Sequence, residues 1–336
     1  MKTTTATLLS LTAVILMAAP NGYHAVGKVH IGGAGGWDYA MMDSEARRLY
    51  VSHATHVVVV DADSEKVVGD IPDTPGVHGI AIATKLNRGY TSNGRSNNVT
   101  IFDLKTLKMV GQVKVGQNPD AIWYEAAPNK VFTFNGKSND ASVIDAATNQ
   151  VVATIPLGGK PEFPAADGRG KLYVNIEDTH EMAEIDAVKL SVTKRYTLTG
   201  CEEPSGLAMD TKNRRLFSVC GNKVMIVSNP DSGKVLATLP IGEGADGAGF
   251  DAGSGLAFSS NGEGTMTVVH EISGKYEVLE TVKTQPGART MAVDTKTHKI
   301  YLPTAQFGVP SAATAQQPRP RPPVLPDSFV LLVVGQ

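Results

Sequence analysis

Short hydrophobic runs alternate with polar turns along almost the whole chain, and their spacing is regular. One kind of run is closed by a glycine every 42 residues, at Gly116, Gly158, Gly200 and Gly242. Another is closed by an aspartate at nearly the same interval, at Asp61, Asp103, Asp145 and Asp186. Several strand-length runs within a period of about 42 residues predict a repeat protein built from small β-sheets.

Seven copies of the repeat can be counted from the segment that follows the glycine-bearing turn. These segments read WDYAMMD, VHGIAIA, PDAIWYE, PEFPAAD, PSGLAMD, ADGAGFD and ARTMAVD. Each is followed by a turn and a second strand, such as RLYVS or KLYVN. Four short strands per repeat predict an all-β fold, a seven-bladed β-propeller with four antiparallel strands per blade. A single propeller domain is expected over residues 26–336.

The last repeat lacks two local strands, so the ring must close with strands from both ends of the chain. Residues 309–327 are rich in proline and predict a linker. The apolar run at 328–335 predicts the third strand of the last blade. The N-terminal segment GKVHI predicts the fourth strand of the same blade.

The N-terminus differs from the rest of the chain. Lys2 is followed by the apolar stretch LLSLTAVILMAA, which is typical of a secretory signal peptide. We assign residues 1–25 to the signal, with cleavage between 18 and 25, and expect a periplasmic or secreted protein. Cys201 and Cys220 fall at the same end of two neighbouring strands and predict a disulfide in that compartment.

Charge and hydropathy exclude two classes of partner. The chain carries 31 Lys and Arg against 33 Asp and Glu, a formal net charge of −2, so it has no basic surplus for binding nucleic acid. No apolar run of the mature chain is long enough to span a bilayer. We expect a monomer.

The repeat resembles a known family. The phrases KLYVN and SVIDAATNQVVATIPLGGKP are similar to the consensus of the YVTN-repeat, or YncE-like, bacterial propellers, and the resemblance covers essentially the whole mature chain. It implies a seven-bladed propeller, often exported. It implies no catalytic residue, because the repeated positions are structural.

Candidate binding residues lie in the loops between the fourth and first strands and between the second and third strands, which emerge on one face. Arg95, Lys137 and Arg289 predict a clamp for a small anionic ligand, although Arg95 and Lys137 are also ordinary residues of Asn-Gly turns. The other candidates on this face are Trp37, Asp38, His78, Glu162, His180 and Glu181. For Trp37, packing between blades is the favoured alternative to a ligand platform.

Histidines and carboxylates on this face also suggest a divalent metal, since imidazole and carboxylate are common ligands. The candidates are His53, His78, His180 and Glu181. Their spacing is not a metal motif in itself, and hydrogen-bonded loop histidines are the alternative.

Three functions are consistent with these patterns. The first is an exported binding protein or scaffold that recognises a protein, a cell-envelope component or a small anionic ligand. The second is a propeller enzyme, a lactonase-like hydrolase or a lyase, working with or without a metal ion. The third is an accessory protein of a quinone or haem redox enzyme. No Ser-His-Asp, phosphate-loop or CxxC motif is present to choose among them.

Overall fold

Seven four-stranded antiparallel sheets form the ring that the repeat predicts, which confirms the fold class. The computed structural model describes residues 22–312 and 322–336. Most of the predicted signal peptide, residues 1–21, therefore lies outside the described residues. Within the described part, no helix has the length and hydropathy needed to cross a membrane.

Each blade runs from its innermost strand at the channel to its outermost strand at the rim. Blade 1 comprises β2 (Ala40–Asp43), β3 (Arg48–His53), β4 (His56–Asp61) and β5 (Lys66–Ile71). Blade 2 comprises β6 (Val77–Ala83), β7 (Arg88–Asn93), β8 (Asn98–Asp103) and β9 (Met109–Lys114). Blade 3 comprises β10 (Pro119–Glu125), β11 (Lys130–Asn135), β12 (Asp140–Asp145) and β13 (Gln150–Pro156). Blade 4 comprises β14 (Pro161–Ala166), β15 (Lys171–Ile176), β16 (Glu181–Asp186) and β17 (Ser191–Thr197). Blade 5 comprises β18 (Pro204–Asp210), β19 (Arg215–Cys220), β20 (Val224–Ser228) and β21 (Val235–Pro240). Blade 6 comprises β22 (Ala245–Asp251), β23 (Leu256–Asn261), β24 (Thr265–Ile272) and β25 (Lys275–Lys283). Blade 7 comprises β26 (Ala292–Asp294), β27 (Lys299–Thr304), β28 (Val330–Gly335) and β1 (His24–His30).

An aromatic residue occupies the same position of the second strand in all seven blades, and each is buried between neighbouring sheets. These residues are Tyr50, Tyr90, Phe132, Tyr173, Phe217, Phe258 and Tyr301. A four-stranded sheet cannot bury both of its faces alone. A large apolar side chain in every seam therefore fixes each blade against its neighbours.

The recurring aspartate of the repeat has a local structural role. The Oδ1 atoms of Asp61, Asp103, Asp145 and Asp186 accept backbone N–H groups from residues three positions later, at 2.7–3.0 Å. The turn between the third and fourth strands then places a residue in the left-handed region, such as Asn149 with φ 58°. The repeated phrase is thus a turn that joins two strands of one blade.

Both ends of the described chain meet in blade 7, as the sequence predicts. Strand β28 lies between β27 and β1, and the β1–β28 pairing brings His24 opposite Gly335. Strand β1 begins at His24, two residues before the predicted domain start at residue 26. Tyr23 is buried and packs edge-on against Phe258 of blade 6, so the domain extends at least to this residue.

The proline-rich stretch 309–327 is not entirely a bare spacer. Val324 forms an isolated antiparallel bridge with Phe307, and the Leu325 N–H donates to the Gln306 carbonyl at 2.8 Å. The closing strand itself begins at Val330 rather than at 328. Residues 313–321 lie outside the described part of the chain.

The predicted disulfide is present between Cys201 and Cys220, with a Cα–Cα distance of 5.5 Å. It ties the turn before β18 to the end of β19 in blade 5, and both residues are buried. A cross-link over 19 positions stabilises the fold mainly by restricting the unfolded chain.

Closure of the ring through β28 can be tested with Leu332→Ala. Leu332 is buried in the seam with Phe258 and Met266 of blade 6, so its truncation should lower the free energy of unfolding by about 2–5 kcal/mol. The control Val26→Ala, on the exposed face of β1, should change it by less than about 0.5 kcal/mol. Urea denaturation measures both. Equal, small effects would mean that β28 does not close the ring in solution.

Candidate functional site

One position in each blade points a side chain at the mouth of the central channel, five residues before the end of the inner segment. In blade order these residues are Asp38, His78, Asp120, Glu162, Ser205, Asp246 and Arg289. We call this set the mouth ring. Each lies at or just before the start of an inner strand, on the face that carries the variable loops.

Polar side chains from the second strands hold the backbone of the ring. The Ser92 hydroxyl donates to the carbonyl of Asp120 in the next blade, and the Ser260 hydroxyl donates to the Arg289 carbonyl at 2.6 Å. The Asn175 amide donates to the Ser205 carbonyl at 2.9 Å. Because each contact crosses to the following blade, the packing of the seams determines where the ring side chains lie.

Asp38, His78 and Asp120 form a compact group with mixed oxygen and nitrogen donors. The His78 Nδ1–H donates to Asp38 Oδ2 at 2.6 Å and lies 3.6 Å from Asp120 Oδ1. Asp120 Oδ1 is buried and accepts no hydrogen bond from the described residues. One donor atom of each residue falls within 4.8 Å of the others, a separation that suits a single metal ion.

Arg289 lies in the ring between Asp246 and Asp38 and contacts both carboxylates. Its guanidinium pairs with Asp246 through Nη1 and with Asp38 Oδ1 through Nη2, at 3.4 Å for the latter. Asp38 therefore contacts His78 with one carboxylate oxygen and Arg289 with the other. The Thr290 hydroxyl also donates to the Asp38 carbonyl at 2.6 Å, which fixes this residue further.

Lys160 supplies the second cation near the ring. Its ammonium lies 2.7 Å from Glu162 Oε1 and also contacts Glu177. Burial alone would lower the pKa of Lys160, but its hydrogen bonds to Glu162 and Glu177 raise it, so the ammonium is charged at neutral pH.

The buried carboxyl groups of the ring are crowded, and this changes their protonation. Burial, with the charge of Asp38, raises the pKa of Asp120 to about 7. Burial, with the charge of Asp120, raises the pKa of Glu162 to about 9, and the pKa of Asp246 is raised by burial and Asp38. Burial alone would lower the pKa of His78, but the hydrogen bond to Asp38 and the charge of Asp120 raise it. The ring therefore holds protons at neutral pH that a cation could replace.

Beneath the ring the inner strands line a small apolar cavity. Tyr39, Trp123 and Phe163 line a cavity of only about 60 Å³, and the Tyr39 and Phe163 rings are 5.0 Å apart. A ligand entering from the loop face therefore meets the polar ring first and an aromatic floor below it.

The structure brings four of the sequence candidates together in the mouth ring: Asp38, His78, Glu162 and Arg289. Arg95 and Lys137 are exposed in the turns after the second strands of blades 2 and 3. The structure places them in those turns rather than in the ring with Arg289. Trp37 stacks on Phe329 with ring centroids 5.0 Å apart, between blades 7 and 1.

The other metal candidates do not join His78. His53 is buried, and its ring centroid lies 4.5 Å from that of Phe329. Burial, with the neighbouring His56, lowers the pKa of His53 to about 4. His180 adopts a left-handed turn, and its Nδ1 accepts the Glu203 N–H at 3.0 Å. Glu181 pairs with Arg195 at 3.4 Å.

Sequence reasoning missed Asp120, Asp246, Lys160 and Glu177 as members of the site. A usable signal was present, because the seven inner segments align without gaps. Their shared column reads Asp, His, Asp, Glu, Ser, Asp, Arg, an unusual density of ionisable side chains for strand starts in a channel.

Comparison with known proteins identifies a family. The model of a family described as "Domain of unknown function (DUF5074)" matches residues 38–276. This is more than half of the chain, so the protein belongs to that family. No curated protein matches the sequence.

Among solved structures, the fold is widespread, with 1808 matching chains. One of them is the Kuenenia stuttgartiensis hydrazine synthase, with a TM-score of 0.69 and 17% sequence identity. The alignment covers 81% of this chain and 94% of that chain. At this identity the likeness shows the fold alone, and it assigns no chemistry to the mouth ring.

The raised pKa values predict how stability depends on pH. In the folded protein Asp120 and Glu162 keep their protons up to about pH 7 and about pH 9, whereas in the unfolded chain they lose them near pH 4. Their contribution to the free energy of unfolding is therefore fully present below pH 4. It is lost as the pH rises through the two folded pKa values. In Asp120→Asn/Glu162→Gln, the free energy of unfolding relative to the parent should increase by several kcal/mol between pH 5 and pH 8, because each parent carboxyl contributes about 1.4 kcal/mol per pH unit between its unfolded and folded pKa values.

Urea denaturation in the presence of chelator measures this difference at both pH values. Comparison with the parent cancels the opposite contribution of His53, whose lowered pKa favours folding as the pH rises from 4 to 6.5. The control Glu277→Gln, on the exposed outer strand β25, should show no pH-dependent difference. If the double variant and the control show the same pH dependence of the free energy of unfolding, the raised pKa values of Asp120 and Glu162 are contradicted.

Proposed function

We propose that this protein is an exported propeller that binds a divalent metal ion at its channel mouth and, through that ion, a small ligand. The observation that carries the proposal is the group formed by Asp38, His78 and Asp120. Their donor atoms lie within 4.8 Å of one another on three neighbouring blades. A rigid ring that places three ligand atoms from separate strands together favours binding over a loose surface contact.

The donor set favours a first-row transition metal. Two carboxylates and one imidazole suit Mn²⁺, Fe²⁺ or Zn²⁺, whereas Ca²⁺ prefers six or more oxygen ligands. Three protein ligands leave coordination positions free for a water or an incoming molecule. Glu162 and Arg289 lie in the same ring, where they could hydrogen-bond to such a molecule.

A bound cation also explains how an acidic mouth could accept an anionic ligand. The ring carries four carboxyl groups against one guanidinium and one imidazole, which by themselves attract cations. A divalent ion would reverse the local balance at the Asp38, His78 and Asp120 group. The small anionic ligand expected from the sequence therefore fits this site when the metal binds first.

Export is supported by the residues at the start of the chain and by the cross-link. The apolar stretch after Lys2 is typical of a signal peptide, and the Cys201–Cys220 disulfide is stable in an oxidising compartment. The YVTN-like repeat is consistent with this assignment. We therefore propose that the protein works in the periplasm or outside the cell.

A metal-dependent hydrolase or lyase is the second candidate, and one observation favours it. Glu162, whose pKa is raised to about 9 by burial and by Asp120, is neutral at pH 7 and can donate a proton. In a screen of lactones with Mn²⁺ present, Glu162→Gln should abolish turnover and retain metal binding. Absence of turnover in the parent protein across the screen would leave binding as the function.

Metal binding is tested by titration calorimetry with Mn²⁺ and Zn²⁺ at pH 7.5. We expect one ion per chain, and Asp38→Asn, His78→Gln and Asp120→Asn should each weaken binding by roughly tenfold or more. Affinity should fall between pH 7.5 and pH 5.5, because Asp120 and His78 both have raised pKa values and become protonated.

Glu181→Gln provides the matched control, since Glu181 begins strand β16 on the same face but lies outside the ring. Its affinity should equal that of the parent protein. Substoichiometric binding, or equal losses in the control and the ring variants, would refute the site.

A further inference from the structure

A second cavity opens on the loop face beside the mouth ring, where blades 6, 7 and 1 meet. Its volume is about 500 Å³, enough for a small organic molecule. None of its lining residues belongs to the Asp38, His78 and Asp120 group. The cavity is therefore distinct from the proposed metal group, although Arg289 borders both the cavity and the mouth ring.

One wall of the cavity is aromatic and rigid. The centroid of the Trp37 ring lies 6.1 Å from that of Phe307. On its other side Trp37 packs against Phe329, with ring centroids 5.0 Å apart. Phe329 is fully buried, so Trp37 rests on the core and cannot retreat from the cavity. Val324 and Pro286 extend this apolar surface. Such a wall suits the flat face of a ring compound.

Glycines keep the cavity open. Gly287 has φ 84°, and a Cβ atom there would come within 2.6 Å of the Phe307 ring, so only glycine lets Phe307 lie against this backbone. Gly36 differs, because a Cβ added to it would meet no atom within 4 Å. A side chain at residue 36 would therefore begin in open space, and because Gly36 lines the cavity we expect a larger residue there to occupy it.

The polar end of the cavity is Arg289, which also belongs to the mouth ring. Its guanidinium uses two of its five N–H donors, on Asp246 and Asp38, and the side chain is 43% exposed. The contacts of the described residues thus leave donors for a ligand at the junction of ring and cavity. A guanidinium held by two carboxylates is pre-organised to receive a planar acceptor group.

We propose that this cavity binds a small aromatic carboxylate, with the carboxylate on Arg289 and the ring against Trp37 and Phe307. The aromatic wall selects a flat apolar body, and Arg289 selects the negative end. A divalent ion at the neighbouring group would strengthen the carboxylate contact without being required for it.

The test uses 2-naphthoate as the probe and the full mature chain. Titration calorimetry at pH 7.5 with chelator should show one site, with 2-naphthalenemethanol and 2-naphthylmethylamine binding at least about tenfold more weakly. Gly36→Leu, which fills the cavity, and Arg289→Gln, which removes the anchor, should each weaken 2-naphthoate binding by about tenfold or more.

Mn²⁺ titration of Gly36→Leu separates this proposal from the metal site, because that variant should bind Mn²⁺ as the parent protein does. Phe307→Leu offers a second, conservative change at the wall and should also weaken 2-naphthoate binding. Circular dichroism confirms that each variant is folded.

Three outcomes would overturn the proposal. They are no 2-naphthoate binding to the parent protein, unchanged binding in folded Gly36→Leu, and equal binding of the alcohol or the amine. Loss of Mn²⁺ binding in the ring variants bears on the metal site alone and leaves the cavity proposal as it stands.

Discussion

The burial of one aromatic ring in every seam between blades is the constraint on which the structure depends. Each sheet exposes two apolar faces that it cannot cover by itself, and the series from Tyr50 to Tyr301 fills the gap to the next sheet seven times. Once these seams are packed, the starts of the inner strands are fixed on a circle. The mouth ring is a direct result, since its members are the side chains that this circle brings to one end of the channel.

Bringing seven strand starts together has an electrostatic cost at this mouth, because four of them carry carboxyl groups. Burial and mutual repulsion keep Asp120 and Glu162 protonated near neutral pH, while Arg289 and His78 neutralise Asp38. As a purely structural feature this arrangement destabilises the fold, since neutral side chains of similar size would be buried without the desolvation of charged groups. That cost is the physical reason to assign the ring a ligand. Arg289 connects the ring to the aromatic cavity, so the two proposed sites share one residue.

The fold could be predicted from the sequence because its determinants are local and repeated. The 42-residue period, the aspartate turns and the unmatched strands at both chain ends specify the ring, its closure and the position of the disulfide. The site could be predicted only in part. His78 and Arg289 attract attention by residue type, whereas Asp120 and Asp246 look like ordinary turn carboxylates until the ring places them near Asp38. His53 also attracts attention by residue type, but it lies outside the mouth ring, because strand alternation turns its imidazole into the seam beside Phe329.

The pairing of β1 with β28 has a further consequence for the order of folding. It joins residues separated by about 300 positions, so the entropic cost of closing that loop is the largest in the molecule. The six blades made of consecutive strands can form as soon as their own residues are available. The seventh needs the last strand of the chain. A nascent propeller thus holds an open flank at β27 and β1 until the end, and that flank is where premature self-association would begin.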